Sequence, residues 1–164
     1  MKTPAFAVDS LAAGAAMQWT ETAGARHPEI TPDRFDVLFV GGLSEDLARL
    51  RTALRRIAHV MRATTCEDAL RQLRDARIPI VLCDDRLPDG TWLNVFNGVA
   101  TDSDTPLLIV TARCADERLW AEVLNLGGFD LLAKPFRAAE VRHVVKTAWR
   151  RLRTLAYGQY KGAR

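Results

Sequence analysis

IPIVLCDDRLPDG, residues 78–90, decides the fold: Ile78 to Cys83 carry no charge, and Asp84, Asp85 and a Pro88-Asp89-Gly90 turn follow at once. A short apolar run bounded by turn residues reads as a strand buried on both faces, as in a parallel sheet covered by helices. Such a strand needs parallel neighbours, and the flanking sequence supplies them. Upstream, FDVLFV (35–40) is a second apolar strand, followed by the helical pattern SEDLARLRTALRRIA (44–58), with Leu47, Leu50, Leu54 and Ile57 on one face. Ser44 fits the N-cap, and Glu45 and Asp46 suit the positive end of the helix dipole. HVMRAT (59–64) reads as a strand and TCEDALRQLRDA (65–76) as a helix, with Thr65 and Asp68 at capping-box spacing.

Downstream, WLNVFNGVA (92–100) reads as a helix weakened by asparagines and Gly98, and PLLIVT (106–111) as a strand. ADERLWAEVLNLG (115–127) is a helix ended by Gly127 and Gly128, and FDLLA (129–133) is the last strand. AAEVRHVVKTAWRRLRTL (138–155) is a helix with one buried stripe of Val141, Val144, Val145, Ala148, Leu152 and Leu155. Five strands alternating with five helices are most economically joined by right-handed crossovers, which gives an α/β, doubly wound parallel sheet with helices on both faces. The domain is expected over 35–155. Residues 1–34 lack a sustained period and are expected to be an extension, with a short helix at 9–19; 156–164 form a basic tail.

In a doubly wound sheet, chemistry gathers at the carboxyl ends of the strands. Those ends are Gly41 and Gly42 after the first strand, Asp84 and Asp85 after the third, Thr111 after the fourth, and Lys134-Pro135 after the fifth. A carboxylate, a hydroxyl and an ammonium in one crevice suit phosphoryl transfer, with Asp as oxygen nucleophile, Lys neutralising charge and Thr donating a hydrogen bond.

With CDDRLPDG, LLIVTA and LLAKPF at these strand ends, residues 35–153 resemble the bacterial response-regulator receiver domain. The resemblance implies a flavodoxin-like sheet of order 2-1-3-4-5 and a phosphoacceptor Asp four residues before a Pro. Counting back from Pro88 lands on Asp84; Thr111 and Lys134 match the stabilising roles, and Pro88 and Pro135 the supporting positions. It also implies a Mg²⁺ held by the acceptor, a backbone carbonyl (here that of Arg86) and two acids ending the first strand. Gly41 and Gly42 replace those acids, so metal binding is expected to be weak. Glu45 and Asp46, about a helical turn further on, are not expected to fill the gap. Arg86 is a candidate substitute for the metal's charge through Asp84 or Asp89, and Lys134 is expected to pair with Asp84. Leu131 stands at the family's aromatic switch position, with Phe136 able to pack nearby.

The implied role is a stand-alone receiver in a two-component phosphorelay, not an enzyme in its own right. Its partners would be a sensor histidine kinase or phosphotransfer protein, a downstream protein, and a second copy in a homodimer. A phosphorylation-independent pseudo-receiver is the alternative. Bland readings cover the other polar residues. Asp85 and Asp89 read as loop residues; His27, His59 and His143 are too scattered for a triad or a metal; Gly41-Gly42 lacks either glycine-rich phosphate fingerprint. Cys66, Cys83 and Cys114 share no metal spacing and are expected to be small buried residues. Seven of the 23 Lys and Arg residues lie beyond Glu140, where no Asp or Glu follows. That basic segment, with Trp149, Tyr157 and Tyr160, reads as a solvated helix face suited to protein contacts, not nucleic acid. No apolar run approaches a bilayer span, so no membrane partner and a cytoplasmic location are expected.

Overall fold

The computed structural model describes residues 34–99 and 105–161. Nearly all of the 1–34 extension, with its expected helix and His27, lies outside them.

The elements are β1 (Phe35–Val40), α1 (Ser44–Leu54), β2 (Ala58–Ala63), α2 (Cys66–Asp75), β3 (Ile80–Asp84), β4 (Arg86–Leu87), β5 (Gly90–Thr91), α3 (Trp92–Val99), β6 (Leu107–Ala112), α4 (Glu117–Asn125), β7 (Asp130–Ala133) and α5 (Ala138–Lys161). Five strands form one parallel sheet in the order β2-β1-β3-β6-β7, the doubly wound order expected. Its reason is visible along β1. Val37 and Phe39 face a core shared with α1 and α5, while Leu38 and Val40 face one shared with α2, α3 and α4. Both faces exclude water, so β1 and β3 are apolar at nearly every position.

Helix boundaries follow local chemistry with some corrections. Thr65 caps α2, its hydroxyl accepting from the Asp68 N–H at 3.1 Å. Only half of the expected box forms, because the Asp68 carboxylate accepts from Arg71 and Gln72 instead. Ser44 is not a cap: Leu43 is the extended N-cap residue, its carbonyl taking the Leu47 N–H at 3.3 Å, so Ser44 is already helical. α5 continues to Lys161, into the segment read as a tail, and outruns the sheet. Leu155, expected in the buried stripe, is therefore exposed. Trp149 lies flat on Phe35, with ring centroids 4.2 Å apart, and so packs α5 onto the end of β1.

Cys66 and Cys83 are buried, but Cys114 is exposed because it falls in the loop beyond β6. Burial holds the Cys83 thiol well above its ordinary range and, with Asp89 nearby, pushes Cys66 up to about 11. Neither is a ready thiolate at neutral pH. Gly127 closes α4 at φ +101°, and a Cβ there would lie 2.8 Å from Phe96 Cζ. Gly127→Ala is therefore expected to destabilise the fold by about 1–2 kcal/mol in urea unfolding, combining a disfavoured backbone with a side-chain clash.

Candidate functional site

Strand register builds the site. Asp84, the last residue of β3, pairs with Thr111 of β6, and the Lys134 N–H donates to the Ala112 carbonyl at 2.8 Å, placing Lys134 just beyond the end of β7. The three side chains therefore leave one edge of the sheet together. Thr111 is fully buried and its hydroxyl donates to Asp84 Oδ1 at 2.5 Å; Lys134 Nζ meets the same oxygen at 2.6 Å. Asp84 Oδ2 accepts no hydrogen bond among the described residues and remains the oxygen open to a reactant.

A fourth side chain joins them, against expectation. Asp46, buried in the first turn of α1, accepts from Lys134 Nζ through Oδ2 at 2.7 Å. Nothing in the sequence reading placed it beside Lys134. Asp46 precedes Leu50 by four residues and Leu54 by eight, which puts it on the buried face of α1, aimed at the crevice. That spacing was the signal in the sequence. The ammonium is further flanked by the Phe39 and Phe136 rings, whose centroids lie 5.8 and 5.7 Å from Nζ. Phe136 thus packs against the site as expected, while Leu131 sits on the opposite core.

Arg86 is the second correction: it is exposed and forms no ion pair with Asp84 or Asp89 among the described residues. Its backbone belongs to a two-stranded hairpin of β4 and β5, with Pro88 and Asp89 in the turn, which points the guanidinium outward. The same hairpin gives Asp89 a role beyond that of a loop residue. Its Oδ1 accepts from the Cys66 N–H at 2.7 Å and its Oδ2 from the Glu67 N–H at 3.1 Å, so it holds the N-terminus of α2 from a distance. These two backbone donors, Cys66 first, keep the Asp89 carboxyl below its ordinary range. A group with a lowered folded-state pKa stabilises above the unfolded value and loses that contribution as pH falls through the folded one. Asp89→Ala is accordingly expected to lower the melting temperature at pH 7, with the gap from the parent chain closing below about pH 4.

The residues do not fit a Mg²⁺ site of the kind the resemblance implies. Gly41 and Gly42 bring no carboxylate, and position 41 is closed to any side chain: a Cβ there would overlap the edge of the Phe39 ring and lie 2.7 Å from Asp84 Oδ2. One of the two Asp84 oxygens, Oδ1, already holds an ammonium. The Gly41 N–H donates to the Ala63 carbonyl at 2.9 Å, and Arg62 Nη2 donates to the Gly42 carbonyl at 2.6 Å, so this loop is fixed in place.

The doubly wound sheet thus brings Asp84, Thr111 and Lys134 together at its carboxyl edge. The model of the response regulator receiver domain matches residues 44–146, and the chain belongs to that family. It is similar to the swarming motility regulation protein RssB of Serratia marcescens, 34% identical over 116 residues, which cover 67% of this chain and 52% of RssB. The regulatory protein LuxO of Vibrio vulnificus is 36% identical over 89 residues, 53% of this chain and 19% of LuxO. The chain spans about half or less of the length of these curated relatives. Among solved structures, a signal receiver domain from Vibrio parahaemolyticus superposes with a TM-score of 0.70 at 18% identity, covering 76% of this chain and 96% of that one. The beryllofluoride-activated NtrC4 receiver domain dimer gives 0.66 at 21% identity, covering 71% and 97%. These structures share the fold. No helix among the described residues is long and apolar enough to cross a membrane.

Proposed function

We propose that the chain acts as a receiver in a two-component phosphorelay, with Asp84 accepting a phosphoryl group from the phosphohistidine of a kinase or phosphotransfer protein. A carboxylate oxygen of Asp84 attacks phosphorus, the phosphorus–imidazole nitrogen bond breaks, and the imidazole leaves with the bonding pair and takes up a proton. The product is an acyl phosphate. The ammonium of Lys134 and the hydroxyl of Thr111 neutralise and hydrogen-bond its oxygens. The observation that carries this reading is the meeting of Lys134 and Thr111 on one oxygen of Asp84, within 2.6 Å.

The chain itself is then a cytoplasmic substrate and signal carrier, not an enzyme, and passes the signal on by protein contacts. The exposed Arg142, Lys146, Arg150, Arg151 and Arg153 of α5 favour an acidic protein surface as the downstream partner. Trp149, packed on Phe35, is withdrawn from any role in stacking on bases, which supports the protein reading over nucleic acid. Incubation with phosphoramidate, with and without Mg²⁺, followed by intact mass measurement, tests the acceptor. A phosphoryl adduct that is absent from Asp84→Ala supports the proposal. No adduct under any condition would sink it and leave the phosphorylation-independent module.

A further inference from the structure

We propose that Asp46 is a positioning residue that holds Lys134 over Asp84, so that a caged ammonium neutralises the acceptor carboxylate where a divalent cation would otherwise be required. Lys134 Nζ lies 2.7 Å from Asp46 Oδ2 and 2.6 Å from Asp84 Oδ1, and all three side chains are at least six-sevenths buried. A buried charge is tolerable only when paired, so the three form one unit: two carboxylates from α1 and β3 around one ammonium from the end of β7. The Phe39 and Phe136 rings flank that ammonium and keep water from it. Phe39 has a second effect, because its ring closes position 41 to the side chain that would bring a metal ligand. The same aromatic wall therefore excludes the metal-holding acid and lines the cage of its substitute. The acid of this site thus stands in the first turn of α1, not at the end of β1, and its partner is Lys134.

The test uses the full, unphosphorylated chain, so it stands apart from the acceptor proposal; an absent adduct with the cage intact would remove that proposal and leave this one. Thermal melts with EDTA and with 10 mM Mg²⁺, a concentration about tenfold above a millimolar Kd, are expected to coincide, whereas occupation of such a site would raise the melting temperature by several degrees. That rise would overturn the inference. In spectra of ¹⁵N-labelled chain, the Lys134 ammonium is expected as a slowly exchanging cross-peak, unmoved by Mg²⁺. In Asp46→Asn, which keeps the shape and removes the charge, that peak is expected to be lost to exchange at least tenfold faster while the backbone spectrum is retained. An unchanged ammonium peak in Asp46→Asn would show that Asp46 does not hold Lys134. Should the amide variant fail to fold, Asp46→Met gives the same comparison. Where the adduct forms, it is expected to form equally in EDTA; a strict requirement for Mg²⁺ would also overturn the inference.

Discussion

Lys134→Met is expected to lose about 3–5 kcal/mol of folding stability, the largest loss of any single change at the site. The methionine matches the length of the lysine stem but brings no charge, so Asp46 and Asp84 face each other across an apolar side chain with nothing to neutralise them. Both carboxylates are nine-tenths buried or nearly so. Against a typical total of roughly 5–15 kcal/mol, the loss takes a large part of the margin. Urea unfolding measures it, with Arg49→Ala as the control. Among the described residues Arg49 pairs with exposed Glu45 alone, and the change is expected to stay within about 0.5 kcal/mol. A Lys134→Met variant as stable as the parent would mean that the ion cluster contributes nothing to folding.

Gly41→Asp is expected to destabilise by about 3 kcal/mol and not to repair a metal site. Overpacking alone accounts for roughly 1–3 kcal/mol, since the new Cβ meets the buried Phe39 ring, and the new carboxylate is driven toward Asp84 Oδ2. One residue later the outcome differs. A Cβ at Gly42 meets nothing within 4 Å, so Gly42→Asp is expected to fall within about 0.5 kcal/mol of the parent. Chemical denaturation of the two variants side by side gives the comparison; equal stabilities would refute the account of the Phe39 wall.

The fold was legible because its signals are long and redundant. IPIVLC carries the signature of a doubly buried strand, which forms from Ile80 onward, and the alternation of strands and helices left one economical topology. Asp84, Thr111 and Lys134 were found because strand ends are set by period and punctuation, and the sheet register then delivers them together. Asp46 was missed because an acid in a first turn has a ready local explanation in the helix dipole, which hid its place on the Leu50–Leu54 face. Asp89 and Arg86 were misread for another reason. The two-residue strands β4 and β5 leave no periodic trace, and the capping of α2 by a residue 23 positions away is a tertiary fact that no local pattern encodes.

Every pairing in the five-stranded sheet is parallel, and the shortest of the loops that β1 must close joins Phe35 to Ala58, while its other edge waits for Ile80 to meet Val37. No hairpin within the sheet can therefore serve as a local seed, and chain entropy must be given up before the central strands gain their neighbours. High contact order of this kind slows folding by orders of magnitude relative to helical bundles. A nascent chain emerging from the ribosome must carry the apolar strand FDVLFV with one edge unpaired until some forty further residues have been synthesised.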